Sequence, residues 1–150
     1  MYSMIYNSFM KLSQPIKITL LILTIFNIFA LGFDWYQIRP WVDIPAHIIF
    51  GILIGLLILS FNSKLKLSEG LSFVIILQVL FLGLVVGFFW EAIEYTRDFV
   101  YASPRDIAFA QQGTRDTVGD MANNIVGAGL VTFVYKFRKG KLLKSRKSKK

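Results

Sequence analysis

The 150-residue sequence contains no cysteine, a single histidine and few charged side chains. The absence of cysteine excludes a disulfide scaffold, a zinc ribbon and a thiol nucleophile, and the single histidine, His47, excludes a histidine-rich zinc site. Neither a phosphate-cradling glycine loop nor a dinucleotide-binding fingerprint occurs. Charged residues make up 17% of the chain and the apolar set AVILMFWYC makes up 55%, against about 25% and about 45–50% in soluble domains. Because the apolar residues fall in long blocks, this composition excludes an ordinary water-soluble domain.

Four apolar stretches are long enough to cross a membrane as helices, which requires about 17–25 residues for a hydrocarbon core of about 30 Å. They are Ile16 to Phe33, Ile44 to Phe61, Leu71 to Tyr95 and Thr117 to Tyr135. The sequence therefore predicts an all-α polytopic membrane protein with four transmembrane helices. It divides into an interfacial segment over 1–15, a transmembrane domain over 16–135 and a basic cytoplasmic tail over 136–150. A signal peptide is the competing interpretation of the first span, but its apolar block is longer than a usual signal core.

The distribution of basic residues predicts the orientation of these spans. The N-terminus together with Lys17 at the start of the first span, the loop Asn62 to Gly70 and the tail Lys136 to Lys150 hold 13 of the 17 basic residues and only one acid, Glu69. Because basic loops are retained on the cytoplasmic side, we expect a multi-pass protein of the cell membrane with both termini in the cytoplasm. The tail is expected to contact anionic lipids of the bilayer. It has no recognition fold and almost no interleaved aromatic residues, so nucleic acid is not an expected partner.

Ionisable and small residues share one face on each of the last three predicted spans. At about 100° per residue, positions three or four apart stay on the same face of a helix. The three stripes are Asp43, His47, Gly51 and Gly55; Gly83, Gly87, Glu91 and Glu94; and Asp116, Asp120, Asn123 and Gly127. Small residues let membrane helices approach closely, so the sequence predicts glycine-lined packing faces. If those faces meet, the polar side chains converge near the outer membrane surface, together with Asn124.

The predicted cluster combines several carboxylates with one imidazole. Five or six carboxylates beside one imidazole cannot all stay ionised, so either some are protonated or cations neutralise them. A divalent ion, Mg²⁺, Mn²⁺ or Zn²⁺, suits oxygen ligands with one imidazole and would act as Lewis acid and water activator. The predicted metal ligands are Asp43, His47, Asp116 and Asp120. Catalytic roles are predicted for Glu91, Glu94 and His47, and substrate binding for Arg97, Arg115, Asn123 and Asn124.

Two functional hypotheses follow from this cluster. The first is a metal-dependent membrane hydrolase or phosphotransferase that acts on a lipid or lipid-linked cell-envelope substrate. The second is a non-catalytic protein that binds or transports a cation, a proton or a cationic ligand such as a basic peptide antibiotic, or that serves in envelope resistance.

Each residue also has a structural interpretation. Asp43, which precedes Ile44-Pro45, suits a helix N-cap, and Glu91 and Glu94 suit ion pairs with nearby arginines.

Three motifs of this sequence are found together in known membrane proteins. They are Asp43-x-x-x-His47 followed by Gly51, Glu91-x-x-Glu94, and Arg115-Asp116-Thr117-x-x-Asp120-Met121-x-x-Asn124-x-x-Gly127-Ala128. The set resembles the small bacterial and archaeal membrane proteins of the VanZ-like and YjdF-type families, over roughly Asp43 to Gly129. The resemblance implies that the acids, His47 and Asn124 of these motifs are family positions. VanZ-like proteins are associated with glycopeptide antibiotic resistance, which implies cell-envelope or lipid-linked substrates, whereas YjdF-type members have no assigned function. With four spans this chain is smaller than the longer YjdF-type members.

Overall fold

The structure is a computed structural model that describes residues 2–64, 72–102, 104 and 113–147. Within these ranges the chain is helical apart from short turns. The helices are α1 (Tyr2–Gly32), the short α2 (Trp35–Ile38), α3 (Asp43–Lys64), α4 (Ser72–Arg97) and α5 (Thr114–Lys147). A 3₁₀ turn over Pro40–Val42 leads into α3, and a π-helical turn over Asp98–Ala102 extends α4.

Three of the four long helices are long and apolar enough to cross a membrane. These spans are Leu12–Gly32, Asp43–Asn62 and Phe73–Val100, and they correspond to the first three predicted spans. The fourth predicted stretch, Thr117 to Tyr135, lies inside α5, which is not among them. The difference has a physical cause, because α5 begins with several acids and asparagines and ends with basic residues, which lower its mean hydropathy. A total of four spans therefore stays a prediction.

The predicted segment boundaries fall inside continuous helices. Helix α1 begins at Tyr2 and contains Pro15, so the segment over 1–15 is helical up to the first span without a break. Helix α5 likewise continues from the predicted fourth span to Lys147, through most of the basic tail. Met1 and the last three residues lie outside the described ranges. Contact of either segment with lipid stays a prediction.

Helix α3 is the central helix of the bundle. More than half of its span, 56%, is buried, against 6% for the span in α1 and 17% for that in α4. It packs most extensively on α5 and next on α1, whereas α4 contacts α5 more than it contacts α3. The outward faces of α1 and α4 carry large exposed apolar side chains such as Ile28, Phe73 and Phe81, which suits contact with hydrocarbon.

Helices α3 and α5 approach each other at glycines. A Cβ atom on Gly51 would overlap the backbone carbonyl of Asn124, and one on Gly127 would overlap the carbonyl of Ile48. Without side chains at these positions the two backbones lie in direct contact. This contact brings the first turn of α3 beside the first turns of α5, at the end of the bundle where α4 also ends. We call it the acidic end.

Candidate metal centre

Five ionisable side chains are buried together at the acidic end. Asp43 and His47 lie on the first turns of α3, Glu91 and Glu94 lie near the end of α4, and Asp120 lies on the second turn of α5. Each is between 2% and 8% exposed. Charged groups are rarely buried unless they are paired or bind a metal, because removing them from water is costly. The cluster is therefore stable only if some of its carboxylates are protonated or a cation neutralises them.

His47 lies at the centre of this cluster. Its Nε2 atom lies 3.4 Å from Oδ1 of Asp43 and 3.7 Å from Oδ2 of Asp120. Both separations exceed the usual hydrogen-bond range of about 2.7–3.2 Å. Two trios, Asp43–His47–Asp120 and His47–Glu91–Glu94, each offer three ligand atoms within 4.8 Å of one another. Such spacing leaves room for an ion between the side chains.

Each glutamate of the cluster is held by one of its two oxygens. Trp90 Nε1 donates a hydrogen bond to Glu94 Oε1 at 2.9 Å, and Thr117 Oγ1 donates one to Glu91 Oε2 at 2.9 Å. The second oxygen of each carboxylate, Glu94 Oε2 and Glu91 Oε1, is buried without a hydrogen-bond partner. Anchoring of this kind orients a carboxylate and leaves its other oxygen for a metal, as outer-shell partners do in known metal sites.

The unpartnered polar atoms concentrate at this site. Among the described residues, the buried side-chain atoms without a hydrogen bond are Asp43 Oδ1, both ring nitrogens of His47, Glu91 Oε1, Glu94 Oε2, Asp120 Oδ2, both amide atoms of Asn124, and Asn62 Oδ1. All but the last lie in or directly beneath the cluster. An unsatisfied buried polar group costs about 1–3 kcal/mol, and more if it is charged. A divalent cation among them would satisfy several at once. One imidazole nitrogen with carboxylate oxygens suits Mn²⁺ or Zn²⁺ better than Mg²⁺, which prefers oxygen ligands.

Asn124 forms the floor of the cluster. Its side chain is fully buried, one helical turn below Asp120. The residue packs between two glycines: a Cβ atom on Gly51 would overlap the Asn124 backbone, and one on Gly87 would lie 3.2 Å from Asn124 Nδ2. The glycines thus make room for a polar amide at the level where the cluster meets the apolar interior.

The other predicted site residues lie around the cluster rather than in it. Asp116 and Asn123 are half-buried and Arg115 is exposed, and none of them belongs to either ligand trio. Arg97 donates a hydrogen bond from Nη2 to Oδ1 of Asp98 at 2.8 Å. This pairing occupies the arginine that was expected to bind a substrate phosphate.

Sequence reasoning assigned no site role to three residues that support the site, nor to Tyr36 near it. Trp90 and Thr117 anchor the glutamates, and the buried Asp98 pairs with Arg97. The spacing of 91, 94 and 98 on one helical face was a usable signal for Asp98. Tyr36 donates a hydrogen bond to Asn27 at 2.8 Å. Burial, and then the nearby Asp43 and Glu94 carboxylates, raise the pKa of Tyr36 above its ordinary value of 10, so its hydroxyl stays a donor.

A protein-family model matches almost the whole length of this sequence. The model of the family described as "Predicted membrane protein (DUF2238)" matches residues 2–141, nearly the whole chain. The chain belongs to the DUF2238 family. No curated protein and no solved structure matches it. This DUF2238 chain is thus a membrane protein with several candidate spans, and the family description states no reaction. The VanZ-like and YjdF-type names are not part of that description, so the finer resemblance stays a prediction.

Proposed function

We propose that this protein is an integral membrane metalloprotein that binds one divalent cation at the acidic end. The proposed ligands are Asp43, His47, Glu91, Glu94 and Asp120. The observation that carries the proposal is the set of buried ligand atoms without hydrogen-bond partners in all five side chains. The two glutamates take the place predicted for Asp116, because Asp116 is half-buried and lies outside both trios.

The proposal includes a membrane arrangement. In it α5 is the fourth span, the glycine-lined faces of α3, α4 and α5 face one another, and both termini are cytoplasmic. The acidic end then opens to the outer face. Support comes from the close approach at Gly51 and Gly127 and from the excess of basic residues in the opposite loops and tail.

The activity that we propose for the centre is that of a hydrolase or phosphotransferase acting on a lipid or lipid-linked cell-envelope substrate. A bound divalent ion would supply Lewis-acid and water-activating chemistry. Glu91 and Glu94 are the candidate general bases, because each is already oriented through one oxygen. The glutamate whose other oxygen does not bind the ion can accept a proton there. Arg97, released from Asp98, and Arg115, at the start of α5, are the candidate phosphate ligands.

A non-catalytic cation-binding protein is the second candidate. Two observations favour it: all five proposed ligands are buried, and Arg97 is paired with Asp98. A transport path is less well supported. The next buried polar side chains on α3, Ser60 and Asn62, begin 13 residues after His47, about 20 Å along the helix, and apolar residues such as Ile54 and Ile58 lie between.

Metal content of the purified full-length protein tests the first part of the proposal. The protein is loaded with Zn²⁺ or Mn²⁺ and the excess ion is removed. We expect elemental mass spectrometry to find about one equivalent of the metal ion per chain. Asp120→Asn and His47→Ala should each weaken binding at least about tenfold, because each removes a ligand. Asp116→Asn is the matched control on the same helix and should bind as the wild type does. Absence of metal from the wild type, or equal loss in the control, would overturn the site.

Phosphate release separates the two candidate functions. The metal-loaded protein is incubated with vesicles that contain phosphatidic acid, and inorganic phosphate is measured. Release that requires metal, and that is lost in Glu91→Gln or Glu94→Gln while the variant still holds the metal, supports the hydrolase. Stoichiometric metal without turnover of this or a lipid-linked phosphate substrate supports the binding protein.

A further inference from the structure

A groove separates α3 from α4 below the candidate metal centre. It encloses about 940 Å³, including its open side. Its apolar wall consists of Ile54, Leu57, Ile58, Phe61, Leu82 and Val86. At the far end it is bordered by Ser60, Asn62 and Gln78, and Asn62 Nδ2 donates a hydrogen bond to Gln78 Oε1 at 2.6 Å. The groove is therefore apolar along its length and polar at the end farther from the metal centre.

The position of the groove determines which molecules surround it. Both walls belong to helices that are long and apolar enough to cross a membrane. From Gln78 to Val86 the groove runs eight residues along α4, about 12 Å, and it lies well inside a hydrocarbon core of about 30 Å. Its wall residues Leu57, Phe61 and Leu82 are exposed. The open side of the groove therefore faces lipid chains in a bilayer.

The groove and the metal centre lie on one line of the α3–α4 interface. On α3, residues 47, 50, 54 and 58 share a face, and on α4 residues 82, 86, 90 and 94 do so. Above the groove on this line, the rings of Phe50 and Trp90 pack with centroids 5.5 Å apart. The same two rings border a separate, much smaller cleft, which His47 and the α1 residues Leu23 and Asn27 also line. One aromatic pair thus separates the apolar groove from the cluster.

We propose that this groove binds one acyl chain of a phosphate-bearing membrane lipid, whose head group lies at the metal centre. The inference rests on the proposed function and names its substrate class. The apolar walls match a hydrocarbon chain, and the Asn62–Gln78 pair ends the apolar stretch on the far side. At the other end lie the side chains proposed to hold a cation, which attracts phosphate oxygens. A chain in the groove places its head group beyond the Phe50–Trp90 pair.

Quenching of Trp90 fluorescence by a brominated lipid tests the proposal. The chain has three tryptophans, so Trp35→Phe with Trp41→Phe leaves Trp90, which borders the cleft, as the sole fluorophore. The protein is placed in phosphatidylcholine vesicles that contain a small fraction of phosphatidic acid brominated on its acyl chain. We expect the quenching of Trp90 to be several-fold stronger than the quenching calculated for a brominated lipid distributed at random around the protein, because the bound chain lies against Trp90.

Two substitutions on α4 make the test specific. Val86→Phe fills the groove and should return quenching to the random-mixing level. Leu84→Phe adds the same ring about 200° around the helix from both wall residues 82 and 86, away from the groove, and should leave quenching unchanged. Equal loss in both variants, or no excess quenching in the parent protein, would overturn the proposal. Equal excess quenching by brominated diacylglycerol would overturn the placement of the head group at the metal centre.

Metal content of the same samples separates this inference from the proposed function. Bound metal without lipid enrichment overturns the groove alone. Lipid enrichment in a protein that binds no metal leaves the chain site standing and overturns the metal centre, and with it the position assigned to the head group.

Discussion

The α3–α5 and α3–α4 interfaces are built in opposite ways. Between α3 and α5 the backbones touch, since a Cβ atom at Gly51 or Gly127 would overlap main-chain atoms of the other helix. Between α3 and α4 the helices part, and an apolar groove lies between them with the Asn62–Gln78 hydrogen bond at its far end. Both interfaces converge on the same cluster of acids.

This difference explains how the cluster is held. Asp43, His47 and Asp120 are positioned by backbone contact between α3 and α5, which leaves little freedom of movement. Glu91 and Glu94 lie on the more loosely packed α4, and each is fixed by one side-chain hydrogen bond. One half of the site is therefore set by packing and the other by anchors. The predictions below test this division, beginning with the largest effect.

Gly127→Ala should cause the largest loss of stability. The added Cβ would overlap the carbonyl of Ile48 and lie 2.9 Å from the backbone nitrogen of Ile52, so α3 and α5 must move apart. We expect a destabilisation of about 3 kcal/mol, at the upper end for overpacking, measured by thermal unfolding of the detergent-solubilised protein. Metal binding should also fall, because His47 and Asp120 separate. A variant with wild-type stability would show that the two backbones are not in contact.

Loss of one glutamate anchor should weaken metal binding without unfolding the bundle. Trp90→Phe removes the hydrogen bond to Glu94, and Thr117→Val removes the hydrogen bond to Glu91. Each should weaken metal affinity about tenfold, as loss of an outer-shell partner does in known metal sites. Calorimetric titration with Zn²⁺ or Mn²⁺ measures the change. Trp41→Phe, at an exposed position, is the matched control, and an equal effect there would contradict the anchoring role.

The hydrogen bond at the far end of the groove should contribute less. Gln78→Leu removes the acceptor of the 2.6 Å bond from Asn62. We expect a destabilisation of about 0.6 kcal/mol, typical of hydrogen bonds between membrane helices. Thr24→Val is the control, because the Thr24 hydroxyl bonds only to the carbonyl of Leu20 on its own helix. If the two variants lose the same stability, the bond does not hold α3 to α4.

The sequence predicts this arrangement only as far as helical periodicity determines the positions of side chains. Spacing of three and four residues gives the face of a side chain on its own helix, and this was enough to predict that His47, Glu91 and Asp120 converge. It does not give the axial offset between helices, so Asp116 and Asp120 could not be ranked, although only Asp120 lies level with His47. The anchors Trp90 and Thr117 depend on rotation about α4 and α5, which periodicity also leaves open. The membrane status of α5 is ambiguous for a related reason, since a helix whose polar face is covered by neighbours does not need high mean hydropathy.

Gly129→Ala should have a small effect, and one of opposite sign to that of Gly127→Ala. The two glycines lie two residues apart on α5, about 200° around the helix, and a Cβ on Gly129 would have no atom within 4 Å. An alanine in this open space reduces the freedom of the unfolded chain, so we expect a stabilisation of about 0.4–1 kcal/mol. The same thermal unfolding measurement compares the two variants directly. If Gly129→Ala were as destabilising as Gly127→Ala, the intolerance would belong to α5 as a whole, and the contrast between the close α3–α5 contact and the open α3–α4 groove would lose its physical basis.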